Sequence, residues 1–310
     1  MIFNIYKIEY KYIIHYCLKD TNISSTMNYI LIDGSYYIFY RFYALKAWWK
    51  LQNNQIDENL NNGETETKLC NIDIFVEKFK KTFISKIKEI KKKLKIKNNC
   101  TIIVGLDCPR KEIWRNELYN NYKSNRNKTN QVIEKEFFKM VFDEKLFEKS
   151  NVDYIFNYPT LEADDCLAIT TKYLLNKSNN SNIWIITSDA DYLQLASDNV
   201  HLYDLKFKNL SLKSFGNPEC DKFCKIVMGD KSDNIPSVFP KCGKKTALKY
   251  YNNKELFNKK LNEKQDYINN YNLNKILVDF DEIPVHLVNS FIQNNLKKIS
   301  IQKSIIHYLL

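Results

Sequence analysis

Short apolar runs alternate with longer amphipathic segments along most of the chain. Five runs have the length of buried strands, and they lie at residues 29–33, 101–107, 152–158, 183–187 and, more weakly, 201–205. Between them, hydrophobic residues recur every three or four positions, as at Phe75, Phe79 and Phe83, which is typical of an amphipathic helix. Strands that alternate with helices predict an α/β fold with a mainly parallel central sheet and helices on both faces.

The same pattern divides the chain into three parts. Residues 1–26 precede the first strand as an N-terminal extension, residues 27–218 carry the alternating strands and helices, and residues 219–310 are mainly helical. Within the middle part, a polar, basic and aromatic stretch begins at residue 108 and leads into one predicted helix over residues 132–149. Because the basic stretch lacks hydrophobic periodicity, we expect it to lie outside the core.

Composition narrows the function classes. The chain has only 6 Gly and 6 Pro in 310 residues, which disfavours a turn-dense all-β fold. Its formal net charge of +11 predicts an anionic partner, either a nucleic acid or a membrane surface. The apolar stretch 2–18 contains Lys7, Glu9 and Lys11 and matches neither a membrane span nor a secretory signal. Eight scattered cysteines indicate reduced thiols, so we expect an intracellular, non-secreted protein without a membrane partner.

Nine carboxylates fall where predicted strands end or where the following segments begin. They are Asp33, Asp107, Glu162, Asp164, Asp165, Asp189, Asp191, Asp230 and Asp233. Each alone has an ordinary explanation as a helix cap, but the carboxyl ends of parallel strands share one edge of a sheet, where the set would meet. We expect Asp230 and Asp233, three positions apart, on one face of a helical turn.

Crowded carboxylates need compensation. Two like charges about 4 Å apart repel by roughly 4 kcal/mol at an effective dielectric constant near 20. Such a set therefore has strongly raised pKa values or binds cations. Because the ligands are oxygens without His or Cys, the sequence predicts Mg²⁺ or Mn²⁺ rather than zinc.

Six motifs follow one another between residue 29 and about residue 247: ILIDGSYYIFYRF, GLDCPR, NYKSNR, LEADD, ITSDADYLQL and MGDKSDNIP. As a set they resemble the flap endonuclease/5′–3′ exonuclease family of PIN-like nucleases. WRNELYNNYKSNRNK and ILVDFDEIP resemble its phage branch, which includes a flap-nuclease type of ribonuclease H. None of the nine carboxylates is substituted, which argues against a degenerate relative that only binds DNA.

The resemblance implies two groups of metal ligands. The first group is Asp33, Asp107, Glu162 and Asp164, and the second is Asp165, Asp189, Asp191, Asp230 and Asp233, some of which act through water. It also implies two Mg²⁺ ions, with Mn²⁺ as a substitute. Together these ions would support phosphodiester hydrolysis that leaves a 5′-phosphate.

The resemblance also implies residues that contact the substrate. Residues 108–150 match a helical arch above the metals, where Lys123 neutralises charge on the phosphoryl group, Arg126 clamps the phosphate and Tyr122 stacks on a terminal base. Arg41 matches a position near phosphate.

A helix–three-turn–helix over about residues 230–252 is implied as well. It would bind duplex phosphates through Lys241, Gly243, Lys244 and Lys245. Whether the K⁺ site of this motif is kept stays open, because Ser237 stands at a usual Gly.

These features predict a monomeric, structure-specific 5′ nuclease acting on DNA with 5′ ends, flaps or nicks, and on RNA annealed to DNA, in replication or repair. A PIN-type ribonuclease and a non-catalytic DNA-binding protein are the alternatives. The arch and the helix–three-turn–helix argue against the first alternative, and the intact acid set argues against the second. The sequence does not indicate which polymerase, clamp or helicase the protein would serve.

Overall fold

The structure is a computed structural model that describes residues 27–52, 72–125, 131–178 and 180–299, with backbone only for residues 131–135. The predicted N-terminal extension and Arg126 lie outside the described residues. The arch is described only in part, for the same reason.

Five parallel strands form one sheet, as the apolar runs predicted. The strands are β1 (Met27–Asp33), β2 (Cys100–Gly105), β3 (Tyr154–Phe156), β4 (Ser181–Ile186) and β5 (Val200–Tyr203). Their order is β3-β2-β1-β4-β5, and all four pairings are parallel. β2 and β3 therefore extend the sheet on one side of β1, and β4 and β5 extend it on the other side.

Helices cover both faces of this sheet, which confirms the predicted α/β architecture. They are α1 (Gly34–Gln52), α2 (Asp73–Lys93), α3 (Arg115–Leu118), α4 (Gln131–Asp143), α5 (Leu146–Lys149), α6 (Ala163–Lys177), α7 (Pro218–Met228), α8 (Lys244–Asn252), α9 (Lys254–Leu261), α10 (Gln265–Val278) and α11 (Val285–Phe291). A wide turn over Ile292–Leu296 extends the last helix.

Alternation along β1 explains why the sheet has two cores. Successive side chains of a strand point to opposite faces. Tyr29 and Leu31 join the core that contains α6 and α11, whereas Ile30 and Ile32 join the core formed with α1, α2 and α4. All four side chains are buried, so β1 lies at the centre of the domain.

The helix predicted over residues 132–149 is instead two helices. Lys145 adopts a left-handed backbone conformation with φ of 53° and separates α4 from α5. The break re-aims the chain so that Leu146 and Phe147 enter the core, where the Phe147 ring packs 5.0 Å from that of Phe83. Aromatic packing therefore overrides the helical continuity of this segment.

The C-terminal helices have a core of their own. Cys220 and Cys224 of α7, Phe239 of the following loop, Tyr250 of α8 and Phe257 of α9 are buried together. Within residues 230–252 the structure has a turn-rich loop followed by one helix, α8, and the helix before the loop, α7, ends at Met228. The bounds of the helix–three-turn–helix stay a prediction. The domain boundary near residue 218 stays a prediction.

None of the helices within the described residues has both the length and the apolar character required to cross a membrane.

Gly34 links β1 to α1 and lies against β2. A Cβ atom at this position would be 2.7 Å from the carbonyl oxygen of Gly105 and 2.5 Å from a methyl group of Leu106. The absence of a side chain therefore allows the helix to begin directly after Asp33, at the edge of the sheet where the carboxylates lie.

We expect Gly34→Ala to lower the free energy of unfolding by about 1–3 kcal/mol, because the added methyl group overpacks the contact with β2. Gly243→Ala is the matched control, since no described atom lies within 4 Å of its Cβ position. That change should alter stability by less than about 0.5 kcal/mol. Urea unfolding of both variants measures the difference, and equal losses would contradict the steric argument.

Candidate active site

Three of the predicted acids lie together at the carboxyl edge of the sheet. Asp33 ends β1 and accepts hydrogen bonds from the Tyr36 amide at 3.0 Å and from the Thr187 hydroxyl at 3.3 Å. Asp107 follows β2 and accepts from the Ala163 amide at 2.8 Å. Asp189 follows β4, whose pairing with β1 is the point where strand order reverses. Ligands of open α/β sheets bind in the crevice at such a point.

The start of α6 contributes the next three acids. Glu162 is the N-cap residue, and its own amide donates to Asp165 at 3.1 Å. Oxygens of Glu162, Asp164 and Asp165 lie within 4.8 Å of one another. The resemblance placed Asp165 in the second metal group, but the structure puts its carboxylate beside the other two, because the three residues share the first turn of α6.

A buried arginine, Arg115, forms a salt bridge with the carboxylate of Asp165. Arg115 donates two hydrogen bonds to it at 2.7 and 2.8 Å, and the indole of Trp114 donates a third at 3.0 Å. Arg115 also donates to Glu162 at 3.0 Å and to the Leu277 carbonyl at 2.9 Å. With these donors the oxygens of Asp165 are already engaged, so this residue orients its neighbours rather than offering free ligand positions.

Lys123 and Tyr122 lie inside the site, which corrects the expectation that their segment stays outside the core. The ammonium group of Lys123 pairs with Glu162 and lies 3.6 Å from Asp233. The Tyr122 hydroxyl donates to Glu162 at 3.0 Å, and its ring is buried in a small apolar cluster with Ile226. Burial is possible because the acids compensate the lysine charge. In this conformation the Tyr122 ring presents no face on which a base could stack.

Asp191, Asp230 and Asp233 form the second group, with oxygens within 4.8 Å of one another. The prediction that Asp230 and Asp233 share a helical turn is wrong. They lie in a tight turn closed by reciprocal backbone hydrogen bonds between Asp230 and Ile235, at 2.9 and 2.7 Å. Gly229, with φ of 69°, ends α7 before this turn.

Burial and like charges raise the pKa values of the acids nearest the sheet. Burial, followed by the charge of Asp107 and that of Asp189, raises the pKa of Asp33 to about 7. Burial and the two acidic neighbours on α6 raise the pKa of Asp164 well above its usual value. When a carboxyl has a raised pKa in the folded protein, its ionisation at rising pH lowers the free energy of unfolding. A bound cation would oppose that decrease.

Lys225 partly compensates the second group. Its ammonium lies 2.6 Å from Asp191 and 2.5 Å from Asp230. Burial and the charge of Asp189 still raise the pKa of Asp191 to about 7. Burial also acts on Asp230, but hydrogen bonds from Lys225 and Ser232 outweigh it and hold the pKa of Asp230 below its usual value.

Both acid groups fit a hard divalent cation. Their donors are carboxylate oxygens, the ligands that Mg²⁺ and Mn²⁺ prefer. In each group a lysine ammonium already lies against the oxygens, which marks the places where positive charge is stabilised. Glu162 and Asp164, with Asp33 and Asp107 nearby, could hold one ion, and Asp191, Asp230 and Asp233 a second.

Two residues of this site were missed by the sequence reasoning. Lys225 lies on the face of α7 that also carries Lys222, three positions earlier, so periodicity predicts an ordinary solvated lysine and gives no signal for its contacts with Asp191 and Asp230. Arg115 follows Trp114 in a stretch that reads as polar and basic. Its burial depends on Asp165, 50 positions further along the chain, and local pattern does not reveal such a partner.

The predicted phosphate-binding residues lie at the surface of the C-terminal helices. Lys241, Gly243, Lys244 and Lys245 are exposed around the start of α8. In the preceding turn the Ser237 hydroxyl donates a hydrogen bond of 2.8 Å to the Phe239 carbonyl. The Phe239 carbonyl oxygen therefore already has a partner other than a K⁺ ion.

Arg41 lies on α1. Its guanidinium stacks over the Tyr40 ring, 4.7 Å from the ring centroid.

The family model described as "5′-3′ exonuclease, N-terminal resolvase-like domain" matches residues 28–222, well over half of the chain. The chain belongs to the 5′–3′ exonuclease family. It is 29% identical over 239 residues to a 5′-3′ exonuclease of Buchnera aphidicola from Acyrthosiphon pisum, covering 74% of this chain and 73% of that protein. It is 28% identical over 232 residues to ribonuclease H of Enterobacteria phage T4, covering 67% and 74%.

A solved structure of the phage T5 flap endonuclease with DNA and metal ions has the same fold. The TM-score is 0.57 at 19% sequence identity, and the match covers 87% of this chain and 98% of the T5 chain. This chain is therefore a nuclease of the 5′–3′ exonuclease family with the α/β fold of that enzyme.

Replacing either of the neighbouring residues Asp164 and Asp165 with Asn should have a different effect on the free energy of unfolding. Asp165→Asn removes the carboxylate that forms two of the buried hydrogen bonds of Arg115 and leaves Glu162 as its remaining anionic partner. It should lower the free energy of unfolding by about 2–4 kcal/mol. Asp164→Asn removes a crowded like charge and should leave the stability of the metal-free protein unchanged or higher. Urea unfolding at pH 8 with a chelator measures both, and similar losses would contradict the separate roles.

Proposed function

We propose that this nuclease is structure-specific and hydrolyses phosphodiester bonds of DNA near 5′ ends, flaps and nicks. We propose RNA annealed to DNA as a further substrate, and primer removal or flap processing in replication or repair as the role. The observation that carries the proposal is the convergence of two all-oxygen acid groups at one sheet edge, each with a lysine against it. The T4 relative's name, ribonuclease H, supports the hybrid substrate.

We propose Mg²⁺ as the cation, two ions per site, with Mn²⁺ as a substitute. Metal ions in such paired sites activate the attacking water and stabilise the leaving oxygen of a phosphodiester. On the chain's side, Asp33 and Asp107 are held rigidly by amide and hydroxyl donors from neighbouring elements. Preorganised ligands of this kind need little rearrangement when the substrate arrives.

Lys123 is proposed as the residue that stabilises charge on the phosphoryl oxygens. Its ammonium pairs with Glu162. A cation that takes over Glu162 would leave the lysine charge available to the substrate at the same place. One such contact typically accounts for 10²–10³ in rate. Arg126 is proposed as a second phosphate contact, on the strength of the motif alone.

The exposed lysines of the C-terminal helices are proposed to bind the duplex. Lys241, Lys244 and Lys245 surround Gly243, whose Cβ position has open space around it. A phosphate can therefore approach the backbone there as well as the side chains. A PIN-type ribonuclease does not need a basic turn of this kind. The exposed lysines therefore favour a nuclease that binds duplex DNA over a PIN-type ribonuclease.

Asp189→Asn should reduce cleavage to near background, because it removes a carboxylate from the crevice between β1 and β4, while duplex binding persists. Product mapping on end-labelled flap, nicked and RNA–DNA substrates, with Mg²⁺ and with a chelator, measures cleavage, and a gel-shift titration with the same substrates in the presence of a chelator measures duplex binding. Asp198→Asn is the matched control, since this exposed aspartate precedes β5 at the opposite edge of the sheet. Near wild-type rates for Asp189→Asn at saturating Mg²⁺ would overturn the metal assignment.

Duplex affinity should fall steeply with salt, because lysine–phosphate contacts release counterions. Replacing Lys241, Lys244 and Lys245 with Ala should flatten the log–log slope by up to about 2.7 units, or about 0.9 per contact. The control replaces the exposed Lys92, Lys93 and Lys97, near the opposite edge of the sheet, and removes the same charge. An unchanged slope in the first variant, or equal flattening in the control, would remove this turn from the interface.

A further inference from the structure

The segment that carries Lys123 is fastened to the turn that carries Asp230 and Asp233. The side-chain amide of Asn234 donates to the Asn121 carbonyl and to the Ser124 hydroxyl, both at 2.9 Å. In return, the Tyr119 hydroxyl donates to the backbone carbonyl of Asn234 at 3.1 Å. Three hydrogen bonds therefore converge on one asparagine, and they cross between parts of the chain more than 100 residues apart.

The backbone of Lys123 is held in an uncommon conformation at this junction. Its φ is 54°, in the left-handed region that residues other than glycine rarely adopt. Its amide donates to the Asp233 carbonyl at 2.8 Å, and its carbonyl accepts from Arg110 at 2.8 Å. Strained residues of this kind persist where surrounding contacts hold them, and they concentrate at functional sites.

Asn234 is also left-handed, with φ of 59°. Asparagine tolerates this region better than most residues, and its amide can both turn the chain and donate hydrogen bonds. In the MGDKSDNIP motif the residue directly follows the ligand candidate Asp233. The turn thus directs Asp233 towards the acid group and the Asn234 amide towards the lysine segment.

We infer that Asn234 is a positioning residue that sets the location of the Lys123 ammonium relative to the second acid group. The inference rests on the proposed role of Lys123 in the reaction. Asn234 acts through the segment 119–125, to which its side-chain amide and its carbonyl are hydrogen-bonded. Because one turn carries both the acids and the amide, the Lys123 backbone and the second acid group keep a fixed separation, which limits the positions that the ammonium can reach.

Asn234→Gly tests this inference, because glycine keeps the left-handed backbone without strain and removes both donated hydrogen bonds. We expect the single-turnover rate at saturating enzyme to fall between about tenfold and a hundredfold, the range for a misplaced catalytic group. The duplex dissociation constant should change by less than about twofold, because the segment's role is in the rate rather than in binding. Ser124→Ala removes one of the two acceptors and should give a smaller loss.

The double variant Asn234→Gly with Lys123→Ala gives the decisive comparison. If Asn234 acts through Lys123, the double variant is no slower than Lys123→Ala alone, within about twofold. Losses that multiply would overturn the inference, because they show that Asn234 acts independently of the lysine. Wild-type rates for Asn234→Gly together with a slow Lys123→Ala would also overturn it and leave the role of Lys123 intact.

A rate for Lys123→Ala equal to wild type would instead overturn the proposed role of Lys123, on which the inference rests. The matched control is Asn151→Gly, the same change at another left-handed asparagine, with φ of 60°. Asn151 is exposed and precedes β3 at the opposite edge of the sheet from the acids. Its variant should keep the wild-type rate, and an equal loss there would attribute the effect to glycine substitution in general.

Discussion

Crowding of negative charge at one edge of the sheet is the constraint on which the rest of this structure depends. Short parallel strands with β1 at the centre bring carboxylates from distant parts of the chain into one crevice. Burial, reinforced by repulsion from neighbouring carboxylates, raises the pKa values of Asp33, Asp164 and Asp191. The fold tolerates them because cationic side chains lie against the acids, and because bound divalent cations would complete the compensation.

The cationic side chains that lie against the acids, Arg115, Lys123 and Lys225, differ in how easily they can leave their carboxylate partners. Arg115 is fully engaged with Asp165 by two parallel hydrogen bonds, the geometry that makes guanidinium–carboxylate pairs strong and rigid. Lys123 and Lys225 are point charges on flexible stems, so each can yield its place to a metal ion or follow a substrate. The arrangement therefore combines one permanent ion pair, which fixes the start of α6, with two exchangeable ones.

The C-terminal helices complete the site as well as bearing the predicted duplex surface. Lys225 comes from α7, and the turn with Asp230 and Asp233 follows directly after it. Asn274 of α10 holds this turn from behind by donating to the Pro236 carbonyl at 2.7 Å, and the Leu277 carbonyl accepts from Arg115. The family match ends at residue 222, yet two of the three acids of the second group, Asp230 and Asp233, lie beyond it. The α/β part and the helical part therefore both contribute acids to the candidate active site.

Local sequence determined the elements that follow from periodicity. The apolar runs predicted the five strands, and carboxylates directly after β1, β2 and β4 predicted a shared edge, because parallel strands end on the same side. The break at Lys145, the tight turn at Asp230 and the buried position of Lys123 were decided by tertiary structure. For α5 and for the lysine, a distant partner outweighs the local preference: the Phe83 ring and the Glu162 carboxylate. The turn is closed locally by the Asp230–Ile235 pairing, and the distant Asn121 and Asn274 hold it in place. The sequence alone thus identified the carboxylates as candidate metal ligands. Which cationic side chains compensate their charge depends on contacts between residues far apart in sequence, and only the tertiary structure shows them.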